Sequence, residues 1–174
     1  MFSVDESRRD RFEQVAPTLI EPVRRYLARR TDPETAEDVL AETLLVCWRR
    51  ATELPGEPLP WVYAVARNCL RNAERSARRQ ERVAARIMAQ PAETDPPDDP
   101  ALDEALASLR PEESELLRLW AWEQLTPAEI AVVLDISPNA ASTRLTRAKK
   151  KLSDRLRKSG TVAGHEESRE GRRS

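Results

Sequence analysis

The side chains in this sequence that could do chemistry are almost all charged, and they are laid out in blocks. Residues 65–86 carry Arg67, Arg71, Arg75, Arg78, Arg79, Arg82 and Arg86 against Glu74 and Glu81, a net +5. Residues 138–158 carry eight cations against Asp154, a net +7. Between them, residues 91–117 hold nine acids against Arg110, a net −8. Cations at helical spacing can bind phosphate by releasing condensed counterions. On charge alone, a solvated helix face is the plainer reading. Other chemistries lack their residues. His165 is the one histidine and stands in a polar tail, so no histidine-based metal site or triad is expected. Cys47 and Cys69 have no metal-ligand spacing and read as small buried hydrophobes. No cluster has catalytic spacing, so neither an enzyme nor a metal or cofactor is expected. Only Gly56 among the four glycines precedes residue 160, which excludes a Gly-rich phosphate loop.

Over all 174 residues the net charge is −1, because acids elsewhere offset the blocks. DNA binding by the unaided chain should therefore be weak. The longest apolar runs, 44–48 and 130–134, fall far short of the ~20 residues of a membrane span. The first ten residues lack the apolar stretch of a signal peptide. A soluble, cytoplasmic protein with no membrane insertion is expected.

The elements that must position the charges are helices. Ala, Leu, Arg and Glu dominate, and no alternating strand pattern persists. The expected fold is all-α, with two small helical domains. The segment QPAETDPPDDP (90–100) has four prolines, four acids and no large apolar residue. It predicts a flexible, acidic, Pro-rich linker over 89–100, between domains at 9–88 and 101–158, with a disordered tail at 159–174. Phe12, Val15, Leu19, Val23 and Leu27 form a first stripe, where Pro17 and Pro22 predict a kink or a late start. Asp32-Pro33 opens a second helix as N-cap and first helical residue. Its stripe is Ala36, Val39, Leu40, Thr43, Leu44, Cys47 and Trp48. After the loop at 53–60, a third helix runs from Trp61 to about Met88, with Val62, Val65, Ala66, Cys69 and Leu70 apolar. In the second domain, Leu102, Leu106 and Leu109 share a face. Pro111 starts a helix with Leu116, Leu117, Leu119 and Trp120 on its apolar side.

Thr126-Pro127-Ala128-Glu129 is a capping box, and Ser137-Pro138 caps the next helix after a turn at Asp135-Ile136. In that last helix Ala141, Leu145, Ala148 and Leu152 form one buried face. Asn139, Ala140, Ser142, Thr143, Arg144, Thr146, Arg147 and Lys150 lie opposite. This is a helix-turn-helix pattern, favoured over an ordinary helical hairpin by the two caps and the one-sided basic residues. Asn139 or Arg144 could pair bidentately with base edges, and Arg147 and Lys150 suit phosphates. Gly is common in such turns. Asp135 tolerates the left-handed conformation better than most residues.

Taken together, WEQLTPAEIAVVLDISPNAASTRLTRAKKKL (122–152) resembles region four of the extracytoplasmic-function sigma factors, the small bacterial initiation factors of RNA polymerase. AEDVLAETLLVCWRR (36–50) resembles their region two helix that docks on the polymerase clamp. LPWVYAVARNCLRNAERSARR (59–79) resembles the helix that reads and melts the −10 element. The segments occur in the family's order. The resemblance implies a region two helical bundle and a region four helix-turn-helix domain. It implies polymerase binding through Asp38, Glu42, Trp48 and Arg49, with Trp48 more a core residue than a contact. It assigns −10 contacts to Trp61, Arg67, Asn68, Arg71, Asn72, Arg75, Arg78 and Arg79. Trp61 either packs the loop or stacks on a base. It assigns −35 contacts to Asn139, Ala140, Ser142, Thr143, Arg144, Arg147 and Lys150. The implied partners are core RNA polymerase through its clamp and flap, promoter DNA and an anti-sigma factor. Ala41, Leu44, Asn72 and Ser142 depart from the residues common in the family, where Gln, Phe, Asp and Lys stand.

The competing reading is a conventional helix-turn-helix transcriptional regulator with an N-terminal helical interaction domain. A sensor domain should offer a pocket or a dimer seam, whereas residues 36–86 offer an acidic helix followed by a basic one. The acidic 91–117 segment is further expected to mask the basic faces in the free protein.

Overall fold

In a computed structural model the backbone is described for residues 4–84 and 100–170, and side chains for 6–80, 102 and 104–158. Among these residues all regular structure is helical. Helices α1 (Val4–Ala28), α2 (Pro33–Arg49) and α3 (Leu59–Ala84) build one compact unit. Helices α4 (Pro100–Ala107), α5 (Pro111–Ala121) and α7 (Pro138–Glu170) pack in the other, and α6 (Pro127–Leu134) is the first helix of the helix-turn-helix. The expected all-α, two-domain fold is what forms. The linker expected at 89–100 lies outside the described residues except for Pro100.

In the first unit, α1 contributes Val15, Leu19, Val23, Tyr26 and Leu27 to the core, and Phe12 stays half-buried. The helix is continuous from Val4 with Pro17 and Pro22 inside it, so the late start expected there does not occur. Each proline costs the helix about 3 kcal/mol. Five buried side chains at about 1.5–3 kcal/mol apiece exceed that cost. Helix α2 buries Ala36, Val39, Leu40, Thr43 and Cys47 against α1 and α3. The Thr43 hydroxyl, fully buried, donates to the Val39 carbonyl at 2.7 Å and so is satisfied within its own helix. Helix α3 seats Val62, Tyr63, Ala66, Cys69 and Leu70. Tyr63 packs on Tyr26 with ring centroids 5.1 Å apart, and the Arg30 guanidinium lies 3.7 Å over the Tyr26 ring. Neither tyrosine stood out in the sequence pattern.

In the second unit, Leu106, Leu109, Leu116, Leu117, Leu119, Ala141, Leu145 and Ala148 are buried. Ser114 is buried too, and its hydroxyl donates to the Leu106 carbonyl at 2.6 Å, pinning α5 to α4. Trp120, expected on the apolar side of α5, is instead 42% exposed. The helix ends one residue later, and the chain turns away through Gln124 at φ 56, so Trp120's side of the last turn stays exposed while Leu119 is buried. The Lys149 ammonium sits 3.4 Å over its ring. Helix α7 continues past residue 158 to Glu170. No proline follows Pro138 to break the helix, and Gly160 and Gly164 weaken a helix without forbidding it.

The caps explain where the helices start. The Thr35 N–H donates to Asp32 Oδ1 at 2.9 Å, with Pro33 at the first helical position. That hydrogen bond, first among its contacts, holds the Asp32 carboxyl below its ordinary range. A lowered folded pKa means the cap's contribution is complete above the ordinary carboxylate range and is lost as pH falls through the lowered value. Asp32→Ala should cost about 1 kcal/mol in chemical denaturation at neutral pH, and Asp32→Asn only a fraction of it. The Ala deficit should shrink in acid. At the other end of the chain, Asp135 is left-handed at φ 54, ψ 53, and the Ile136 N–H donates back to the Ala131 carbonyl at 3.1 Å. The left-handed turn expected of Asp135 is therefore present. Asp135→Gly should match or exceed the parent stability, and Asp135→Val should lose about 1–2 kcal/mol. Equal melting of the two variants would contradict this account of the turn.

Candidate nucleic-acid interface

The candidate residues lie on three helix faces, two in the first unit and one in the second. On α2 the buried stripe runs through Ala36, Val39, Leu40, Thr43 and Cys47. At about 100° per residue, Asp38, Glu42, Leu45 and Arg49 fall on the opposite side, and all four are exposed. Trp48 is not part of that face. It is half-buried and meets Phe12 edge-on, with centroids 5.4 Å apart, as a core aromatic does. Leu45, 46% exposed, is the residue the sequence reading missed. Its signal was available, because it lies half a turn from the buried stripe, among charged neighbours.

On α3 the buried residues and the cationic ones occupy opposite sides. Asn68, Arg71, Asn72, Arg75, Arg78 and Arg79 are all exposed, and Arg67 is half-buried at the edge of the same face. Helical geometry spreads these seven over about 140° of arc, so they form one face rather than a belt. Asn72, Arg75, Arg78 and Arg79 line a shallow groove on it. The side chains of Arg82 and Arg86 lie outside the described residues. At the start of α3, Pro60 is buried and Trp61 half-buried in the first turn. The loop before it is anchored by Leu54, buried, while Pro55, Gly56 and Glu57 are exposed at its tip. A Cβ at Gly56 would meet nothing within 4 Å, so this tip is open to an approaching group.

The two cysteines sit beneath these faces. Both are buried and free. Burial pushes the Cys47 thiol up to about 11, with a further push from Cys69. Burial also raises Cys69, and the neighbouring Glu42 charge raises it further. Thiols held protonated are poor nucleophiles. In the folded protein at pH 7.5, both should react with a disulfide reagent far more slowly than after denaturation. Rapid labelling of either under native conditions would contradict the burial.

The helix-turn-helix formed by α6 and α7 is capped as its sequence predicts. The Thr126 N–H donates to Glu129 Oε2 at 2.7 Å, and the Glu129 N–H returns to Thr126 Oγ1 at 3.3 Å. The Ala140 N–H donates to Ser137 Oγ at 3.1 Å, which starts α7. With Ala141, Leu145 and Ala148 buried, Asn139, Ser142, Thr143, Thr146, Arg147 and Lys150 stand exposed across the helix. Two of the expected residues lie off its centre. Ala140 is half-buried. Arg144 is exposed but sits only about 60° from the buried stripe, on the flank of the polar face.

Residues 100–152 match the family model for sigma-70, region 4. The match makes this segment a sigma-70 region 4 domain. Two solved structures share its fold. One is the sigma factor RpoE in complex with the anti-sigma factor NepR from Bartonella quintana, 18% identical over 84% of this chain and 96% of that one, with a TM-score of 0.63. The other is CnrH in complex with the cytosolic domain of CnrY, 20% identical over 87% of this chain and 88% of that one, with a TM-score of 0.52. No curated protein matches the chain. The resemblance to extracytoplasmic-function sigma factors read from the sequence is borne out by the region 4 match and the shared fold. In the region 4 domain, α6 and α7 are the helix-turn-helix, and α7 runs past the matched residues. No described helix is long and apolar enough to cross a membrane.

Proposed function

We propose that this sigma factor docks on core RNA polymerase through the exposed face of α2 and reads promoters with two helices. The polar face of α7 takes the −35 element, and the basic face of α3 with its preceding loop takes the −10 element. The observation that carries this is the presence, in separate units of one chain, of two helices that each bury one side and present a cationic polar side. One such helix suffices for a conventional regulator. A second, next to an open loop tip and an acidic helix, suits the capture of unpaired promoter bases by a subunit that polymerase holds in place.

Each element has a chemical reason. Asp38, Glu42 and Arg49 around Leu45 combine an apolar anchor with a charged rim, the composition of a protein-protein contact. On α3 the arginines neutralise strand phosphates, and Asn68 and Asn72 offer paired donor and acceptor groups to an unstacked base. Holding such a base replaces stacking worth a few kcal/mol with hydrogen bonds. On α7, Asn139 stands in the turn that enters the major groove first. The same α2 and α7 faces are where an anti-sigma factor would compete, and a neighbour of this fold was solved with one.

The test is transcription in vitro with core polymerase, followed by mapping of the start sites. Discrete starts that require this chain support the reading. Absence of specific starts, with palindromic duplex binding by the chain alone, would return it to a conventional regulator. Against a mapped promoter, Asn139→Ala should reduce discrimination at one −35 base by about 1–3 kcal/mol. Arg144→Ala separates its two possible roles. A loss at one base assigns it to base reading, and an equal loss on all sequences assigns it to a phosphate.

A further inference from the structure

From Arg147 to beyond the last residue of the region 4 match, α7 carries a charged surface whose pattern is not that of a fading helix end. Arg147, Lys151, Arg155 and Lys158 recur at spacings of 4, 4 and 3. They fall within about 80° of arc, on the flank adjoining the reading face. All four are exposed. Lys151 is bonded to Glu113 of α5, whose carboxyl it holds below the usual range. Asp154, the one acid of this stretch of α7, is engaged by Arg157 at 3.6 Å. Arg155 and Lys158 have no ion pair among the described residues, and with Arg110 they line an open groove beside the start of α5. Three cations therefore converge there, and the acids that also line the groove already have partners.

From this ridge we propose a second, sequence-independent DNA contact, in which Arg155 and Lys158 neutralise backbone phosphates at the rim of the groove that α7 reads. It rests on the −35 assignment of α7 above. The geometry favours a DNA strand over an acidic protein segment. A helix entering the major groove by its N-terminus crosses a width of ~12 Å. By Lys151 the helix has travelled about 20 Å from Pro138, so the residues that follow have outrun the base edges. What lies beyond the base edges is the phosphate strand, with one charge per ~3.4 Å of axis. The ridge from Arg147 to Lys158 is about 16 Å long, enough to face several of them. Rim phosphates give affinity and register without base information.

The experiment measures binding of the full-length chain with core polymerase to a mapped promoter fragment across a salt series. Each phosphate contact contributes about 0.9 to the slope of log K against log salt. The double variant Arg155→Ala, Lys158→Ala should lower that slope by about 1.8 and leave discrimination between matched and mutated −35 elements unchanged. The exchange Arg155→Lys, Lys158→Arg should restore the slope, because charge rather than shape is required. An unchanged slope in the Ala variant overturns the proposal. So does weaker core binding with an unchanged slope, which would assign the ridge to a protein partner. If wild-type complex fails to discriminate −35 sequences at all, the α7 assignment itself falls. If it discriminates while the Ala variant keeps the full slope, only the rim contact falls.

Discussion

Everything α7 presents depends on where that helix begins. A helix turns about 100° per residue, so a start displaced by one position would turn Asn139, Thr143 and Lys150 away from the exposed side and bring charged residues toward the core. The phase is set by two adjoining devices. Asp135 takes the left-handed conformation that ends α6 and accommodates the reversal without a glycine. Ser137 then caps the third residue of α7, and Pro138 restricts φ at the first helical position. The buried series Ala141, Leu145 and Ala148 reinforces the same phase from the core side. Local chemistry and packing thus agree on one rotation, and the faces follow from it.

The charge cancellation follows from the same geometry. A net of −1 hides cationic faces because the acids are spent within helices or concentrated before and within α5. Glu113 illustrates this. It accepts the Arg110 backbone N–H at 3.3 Å, sits in the favourable first turn of α5, and is bonded to Lys151 of α7. One acid therefore serves as a helix-start partner and as a tether between two helices, at the cost of one cation on the ridge. Exposed pairs of this kind contribute little to stability. Their larger effect is to decide which cations remain for a phosphate. Arg147, Lys150, Arg155 and Lys158 remain, whereas Lys149 is committed to the Trp120 ring.

Much of this architecture was legible in the sequence, and the parts that were not share a cause. The caps at Asp32, Thr126 and Ser137 are local signals between residues three apart, and each forms as its sequence dictates. The stripes on α2, α3 and α7 are periodic, and periodicity survives folding. What failed depended on neighbours remote in sequence. The prolines of α1 predict an interruption until the packing of α1 on α2 and α3 is known. Trp120 belongs to an apolar pattern, yet it stands exposed beside the buried Leu119, with Lys149 of α7 over its ring. The Tyr26–Tyr63 pair unites residues on two helices that no spacing rule connects. Leu45 is the converse case. Its position opposite a stripe was visible, but the prior that leucine is buried hid it.

The site residues divide along the same line. Seven residues assigned to −10 contacts by resemblance share one face of α3, with Trp61 beside them at its start. A face can be recovered from spacing because a single helix imposes it. Arg144 shows the limit of that recovery. Counting residues placed it opposite the apolar stripe, while its true position is on a flank, about 60° from that stripe. A flank arginine has a long side chain and can reach either a base edge or a phosphate. If α7 reads the −35 element as proposed, the distinction turns on how deeply it would sit in the groove, and the small side chains Ala140, Ser142 and Thr143 at its leading turns would let it approach closely. Close approach would favour base contact by Asn139 and would bring the groove rim nearer to the ridge that begins at Arg147. Bulk added at Ser142 or Thr143 would then lift the proposed base contacts and phosphate contacts together.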